Sequence, residues 1–558
     1  MNSSLSRLRT LVVVTGLAAP GFIGAQATPA IRLTDVTRDA GIAFTHNNGA
    51  FGKKYLPETL GAGAAFFDYD NDGRQDLFLV NGTSWPGQPA ARTPSALLRN
   101  TGGGRFDDVT ERAGLAADLY GMGVAAADFD NDGWQDLVVT AVGQSRLFRN
   151  TGKGTFLDVT SRAGLGNRTG FSTSAMWFDY DRDGWLDLLI CNYVRWTPET
   201  DVRCSVDGTQ KAYCTPEAYR GATSWLFRNK GNGTFEDVTA KAGLFDATSK
   251  SLGVTLVEYD ADPWPDVFIA NDTQPNKLYR NNGNGTFTEL GLKAGLALSE
   301  EGRARAGMGV DSADVDNTGT TTVVVTNFSG EMLGLYRPVG EGQFQDSAPR
   351  SEVGRATRQT LGFGCFFFDV DLDGLQDLLV VNGHIDDTFT RANARVAYAE
   401  PPHLFHNRGR GQFTDIAPAI GGAFAAPKVG RGAAFADIDG DLDLDVVVTT
   451  NGGPATLYRN DSDTGNRALR LRLRGVTSNR DGIGARVRVF TGRDRLSRTV
   501  RTGSSYLSQS ELPLTFGLGK ASRADRVVVE WPSGKTDEIA NLDTGRAYTI
   551  VEGKGAAP

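Results

Sequence analysis

The stretch "ADFDNDGWQD", Ala127 to Asp136, places carboxylates at Asp128, Asp130, Asp132 and Asp136, with Gly133 between the last two. Four negative charges held in one tight turn require a compensating cation. Side chains at positions one, three and five converge, Gly at six permits the reversal, position seven offers a carbonyl, and the acid at nine closes an all-oxygen cage. Ca2+ accepts such ligands in flexible geometry, whereas Mg2+ demands an octahedron and keeps its waters. A helix–loop–helix calcium site would close with Glu at twelve between helices; here the acid closes at nine and the flanks read as strands.

The pattern recurs along the chain. Intact copies comprise Asp68, Asp70, Asp72 and Asp76; the opening stretch; Asp179, Asp181, Asp183 and Asp187; and Asp369, Asp371, Asp373 and Asp377. Glu258, Asp260, Asp262 and Asp266 form a weaker copy with Pro263 at the Gly position. Asp437, Asp439, Asp441 and Asp445 form another with Leu442 there, and the copy from Asp314 keeps Gly319 but loses its last two acids. Ca2+ is expected in the four intact loops, with loops four and seven as further candidates and loop five excluded.

A small, Gly-rich apolar segment precedes the loops ("GAGAAFF", "GMGVAAA", "GRGAAFA"), and a run such as "LFLV" or "LVVT" follows. Both are strand signals too short for helices. A third strand, a Gly turn and a fourth strand come next, as in "RLFRNTGKGTFLDVT". Each repeat is thus a four-stranded antiparallel meander, which cannot bury both faces alone and stacks radially. The expected fold class is all-β: a seven-bladed β-propeller over residues 28–465 with the small-residue strand innermost, followed by a small all-β domain at 466–554. The last repeat lacks its fourth strand, while an orphan copy, "RLTDVTRDAGI", lies at Arg32 to Ile42. The N-terminal strand is expected to complete that blade.

Composition narrows the class. The 558 residues include 69 Gly, and no apolar run after the N-terminus is long enough to span a bilayer. Residues 1–27 read as a cleaved signal peptide: Arg7 and Arg9 precede "LVVVTGLAAPGFIGA", and small residues end the run at Ala27. The mature chain is expected to be exported, whether periplasmic, secreted or at the cell surface, with no transmembrane segment. In that setting Cys204 and Cys214, in "RCSVDGTQKAYC", are the natural disulfide. Cys191 and Cys365 lie in apolar strands and read as buried thiols.

Residues 466–554 carry 17 Lys and Arg against 9 Asp and Glu, in a chain whose net charge is −8. Arg alternates with apolar residues in "LRLRLRG" and "ARVRVF", which marks strands with one polar face. An exported protein rarely meets nucleic acid, so the basic surface is read as docking on the acidic repeats.

These loops between small-residue strands resemble FG-GAP (VCBS) repeats, as in the ligand-binding head of integrin alpha chains, from Arg32 to about Asp461. The resemblance implies a seven-bladed propeller with Ca2+ in its blade loops; loops four, five and seven depart from the pattern. "NRDGIGARVRVF", "GSSYLSQ", "TFGLG" and "VEWPSG" are similar to the ASPIC and UnbV domain. With "KKYLPETLGAGAAFFDYD" at the start of the repeats, the whole chain resembles the cartilage acidic protein family.

No nucleophile elbow, zinc-binding His pair or phosphate loop accompanies the four histidines, and His403 and His406, in "HLFHNRG", read as structural. In a meander the loops joining strands two and three share a face with those joining blades, opposite the Asp loops. Asn leaves strand two at Asn81, Asn192, Asn271, Asn327, Asn382 and Asn451, where it also serves as a common turn former. The long loops gather on the same face: "THNNGAFGKKYLPETLG", the "NYVRW" insert and "NGHIDD". His46, Glu58, Asn81, Asn192, Asn382 and His384 are therefore expected around an axial mouth that binds a glycan, a protein or a cell-envelope component. A hydrolase or lyase using Glu58, His46 or His384 is the alternative, and a purely structural surface protein the third.

Overall fold

Each aspartate loop is the turn of a β-hairpin, and two further strands extend each hairpin. The computed structural model describes residues 31–88, 93–205, 208–260, 262–388 and 395–557. The leader expected at 1–27 lies outside the described residues. No described helix is long and apolar enough to cross a membrane.

The first sheet sets the pattern: Ala64–Phe67, Asp76–Leu79, Ala96–Gly102 and Arg105–Asp108 pair antiparallel in that order. The meander recurs in each following repeat, and Gly170 and Phe171 also pair with Gly143 and Val142, joining the second and third sheets. The last repeat takes its outer strand from the other end of the chain, Leu33–Asp35 pairing with Thr456–Asn460.

The first strands, Ala64–Phe67, Tyr120–Ala127, Gly170–Phe178, Ser251–Val257, Val310–Ala313, Gly362–Phe368 and Gly430–Ala436, neighbour one another in chain order, and the last returns to the first. They line the axis of a β-propeller. Crowding explains their composition: Ala64, Ala65, Ala125, Ala126, Ala433 and Ala434 have no exposed surface. Larger residues fill the wedges between sheets, as where Phe67, Phe78 and Val80 meet Val124, Leu137 and Val139.

An Asn at the end of the third strand ties neighbouring sheets together. Asn150 donates its amide to the carbonyl of Tyr69 in the preceding loop at 2.8 Å, and Asn100, Asn229, Asn281, Asn407 and Asn460 reach Ile438, Phe129, Tyr180, Val315 and Val370 in the same way. The fifth sheet has Pro338 at this position and no such amide.

The C-terminal region forms two four-stranded sheets, one containing Ala468–Arg474 paired in parallel with Arg546–Val551, the other Arg486–Thr491 between Asp494–Thr499 and Arg523–Glu530. Their shared core, with Leu471, Val489, Phe516 and Val529, runs without a break into Phe129 and Trp177 of the propeller. Basic residues meet the aspartate-loop end: Arg472 pairs with Asp68 at 3.0 Å, Arg486 with Glu258 at 2.8 Å and Arg501 with Asp311 at 2.6 Å.

The connection from Arg501 to Glu511 enters the axial channel. Ser508 and Gln509 bond Ala64 and Phe66, the Gln509 amide bonds Ala126, Thr502 bonds Trp177, Gly503 accepts from Thr255, and Val310 donates to Ser505. Tyr506 packs on Phe363 with ring centres 5.0 Å apart, and Ser510 accepts from Phe435. Every innermost strand therefore contacts this segment. The physical reason lies in the sheet edges: their N–H and C=O groups on the axial side lack partners within their own sheets, and a polar segment satisfies them. The sequence reading placed this Ser-rich segment only within a small domain and did not foresee the insertion.

Candidate functional site

In the first loop, both oxygens of Asp68 accept loop N–H groups, from Asp72 and Gly73 at 3.0 Å each. Asp76 ties the loop to its own sheet, accepting from Tyr69 and Asn100. Position five, Asp72, accepts from Arg74 N. Asp70 is different: one oxygen pairs with Arg99 at 2.6 Å, and the other is buried without a partner. Asp130 and Asp181 repeat this, each turning one unpartnered oxygen inward.

Candidate ligand oxygens of Asp68, Asp70 and Asp76 lie within 4.8 Å of one another, as do those of Asp128, Asp130 and Asp136, of Asp179, Asp181 and Asp187, and of Asp369, Asp371 and Asp377. Burial raises these carboxyls: Asp76 and Asp128 to about 8, Asp179 to about 7, and Asp187, Asp136 and Asp377 well above the usual range. Like-charge neighbours add to the effect; for Asp128 the largest is Asp481 of the C-terminal region, whose carboxylate accepts from Asp128 N at 2.7 Å. An orphaned buried oxygen among acids that resist ionisation is the environment a hard divalent cation relieves. These clusters can hold a metal ion.

The weaker loops differ from the pattern in specific ways. Glu258, counted from the sequence as a ligand, is bonded to Arg486 and Thr499. In loop seven the sequence pattern assigns Asp437, Asp439, Asp441 and Asp445, yet the unpartnered buried oxygens belong to Asp439 and to Asp443, outside the pattern. Leu442 takes a positive φ of 80° where Gly belongs, and Asp443 is drawn inward. Loop five still folds on Asp314, which accepts from Thr318 and Gly319.

Sequence reasoning also missed the third-strand Arg. Arg99, Arg149, Arg228 and Arg280 each fork across positions three and five of their own loop. The recurrent "RN" carried that signal, since an Arg recurs just before the Asn in the third strand that follows an acidic loop.

At the opposite end the long loops lock together. Lys54 pairs with Asp386 at 3.1 Å, Tyr213 OH donates to Glu58 at 3.0 Å, and Cys204 is bonded to Cys214. Cys191 and Cys365 are buried and free. Tyr55, Trp85, Tyr120 and Trp196 pack beneath in edge and stacked contacts, and Tyr506 of the inserted segment belongs to the same cluster.

The six residues expected to ring an open mouth are all buried. Asn81, Asn192 and Asn382 donate to the carbonyls of Pro94, Thr223 and Pro401, just before the next strand, so each pins the entry to strand three. That is the turn-forming role of Asn. His46 accepts from Gly452, and burial and Arg431 lower it to about 3; burial lowers His384 to about 4. Arg431, fully buried, donates to the carbonyls of Thr59, Gly383 and His384 and stacks 3.9 Å over Phe363. One oxygen of Glu58 is buried without a partner, as are His46 Nε2 and Asn382 Oδ1, and burial raises the Glu58 carboxyl to about 7.

A model of the FG-GAP-like repeat matches residues 68–139, 128–190, 258–325 and 389–448, and one of ASPIC and UnbV matches 475–557. The chain is similar to cartilage acidic protein 1 of Homo sapiens, 28% identical over 335 residues that make up 58% of this chain and 47% of that one. It is 24% identical to the Xenopus tropicalis protein of the same name over 522 residues, 86% and 71% of the two chains. The match thus spans about half the length of the human relative. A solved Agrocybe aegerita lectin that recognises non-reducing terminal N-acetylglucosamine aligns with TM-score 0.39 and 15% identity over 64% of this chain and 79% of that one, a likeness too loose to build on. The chain belongs to the FG-GAP-repeat proteins that end in an ASPIC and UnbV domain, the family of cartilage acidic protein 1.

Proposed function

We propose that this chain is an exported, calcium-stabilised binding module: a seven-bladed propeller over residues 28–465 with a C-terminal domain at 466–554 that closes its channel. Ca2+ held by the aspartate loops neutralises their charge. The observation that carries the binding reading is the interlocked loop face, where three separate insertions are tied by Lys54–Asp386 and Tyr213–Glu58, and the middle one is braced internally by the Cys204–Cys214 bridge. Ties of this kind hold a surface in one shape before a ligand arrives, which lowers the ordering cost of binding.

The recognition groups are the partly exposed rim residues rather than the buried Asn and His. Lys54 lies 5.1 Å from the Tyr213 ring centre and Lys211 5.3 Å from that of Tyr55. Aromatic faces beside ammonium groups suit a glycan, a protein or an envelope polymer. The test is binding to arrays of glycans, envelope polysaccharides and extracellular proteins, comparing the native chain with Tyr55→Ala/Tyr213→Ala. A ligand lost in the variant at unchanged stability supports the reading; a ligand bound equally by both overturns it.

A hydrolase or lyase is the second reading, favoured by the Glu58 carboxyl, which titrates near neutrality beside a phenol. Turnover of any bound polymer that Glu58→Gln abolishes would establish it.

A further inference from the structure

In most sheets the third strand carries a side chain that faces the acids of its own loop, whereas Arg459 of the seventh pairs with Asp461 and Arg337 of the fifth with Asp316 alone. In four sheets it is an Arg that forks across both acids. In the sixth sheet it is His406, on His403–Asn407. His406 is 4% exposed; its Nε2 lies 3.0 Å from Asp371 Oδ2, and its Nδ1 is buried with no hydrogen-bond partner. Among the described residues no Arg or Lys pairs with Asp371 or Asp373, so the fixed charge supplied to the first four loops is missing here.

We propose that His406, Asp371 and Asp373 form a binding site for a divalent first-row transition ion, set apart from the aspartate-loop site by its imidazole while sharing Asp371 and Asp373 of that loop. One ligand atom from each residue lies within 4.8 Å of the others, and a second triad, Asp369, Asp371 and Asp377, lies on the loop side of Asp371. Two ligands about 2.0–2.1 Å from a tetrahedral ion stand roughly 3.3 Å apart, close to the 3.0 Å between His406 and Asp371. Imidazole with carboxylates is a donor set for zinc and its neighbours, whereas Ca2+ and Mg2+ take oxygen.

The surroundings fit such a site. Asp373 is exposed, which gives an ion a path in and leaves room for water as a further ligand. Asp373 is oriented by Leu375 N at 2.8 Å, and the Asp371 carbonyl is held by Thr464 and Asn466 at 3.1 and 2.8 Å. Outer contacts of this kind orient metal ligands.

The test uses the full chain, saturated with calcium, titrated calorimetrically with zinc chloride. His406→Arg installs the residue that serves the first four sheets, so the loop acids keep a basic partner. The native chain binds one zinc ion, and His406→Arg weakens that binding by more than about 100-fold, since even outer-shell partners are worth 10–100-fold. The calcium-dependent melting temperature stays unchanged in the variant. Nitrogen chemical shifts of the four histidines give a readout that needs no variant: zinc must move one imidazole. Equal zinc binding by His406→Arg, displacement of zinc by excess calcium, or no imidazole shift each overturns the proposal. Zinc binding that requires His406 in a chain that calcium does not stabilise supports it, and the calcium reading alone then fails.

Discussion

Asn150 shows how much one side chain can organise. Its amide reaches Tyr69 in the preceding loop and Gln135 in its own, its oxygen accepts from Gly152, and its backbone N–H meets Asp136. Asn150→Ala removes the side-chain bonds and leaves two buried carbonyls without donors. Each such loss costs about 1–3 kcal/mol, so a fall in unfolding free energy of roughly 2–4 kcal/mol is expected in urea melts. A change below about 0.5 kcal/mol, the scale of an ordinary surface substitution, would show that the tie between sheets is incidental. The residue was visible in the sequence as the repeated "RN", but its partner was not, because that partner lies in a different repeat and only the ring brings them together.

At the scale of elements, the inserted segment and the innermost strands are mutually dependent. Gly63 is the sensitive point: a Cβ there would lie 2.0 Å from the carbonyl of Leu507. Gly63→Ala is expected to destabilise the chain by about 2 kcal/mol or more, at the upper part of the overpacking range. Amide exchange at Leu507 and Gln509 should accelerate with it. Unchanged exchange there would mean that the segment does not rely on the close fit. The meanders, their order and the innermost position of the small-residue strands were legible because strand period, Gly turns and Asp spacing are local signals. The insertion was not: "RTGSSYLSQSEL" has the composition of an exposed loop, and only a channel lined with unpaired backbone makes Ser and Gln suitable buried residues. The burial of the six loop-face residues was not legible for a related reason. Loop length told where the chain gathers, but not that the Asn amides there turn back to the carbonyls before strand three.

For the whole molecule, charge is the organising quantity. Acidic loops crowd one end of the propeller, and Arg from two sources meets them, from the third strands on one side and from the C-terminal region on the other. That leaves the inward oxygens of Asp70, Asp130 and Asp181 for a cation. With Asp76 and Asp128 raised to about 8, the metal-free chain holds protons at pH 7 that a metal must displace. Calcium affinity should therefore rise with pH up to about 8, and binding heats should vary with the ionisation enthalpy of the buffer. The most direct measurement of the central claim is the melting temperature of the full chain in excess chelator and in saturating calcium. Binding to the folded state alone adds about 2.7 kcal/mol per site at a hundredfold excess over Kd, so several sites predict a rise well beyond 5 °C by the usual conversion of about 2–4 °C per kcal/mol for larger domains. An identical melting temperature in chelator and in calcium would contradict the account.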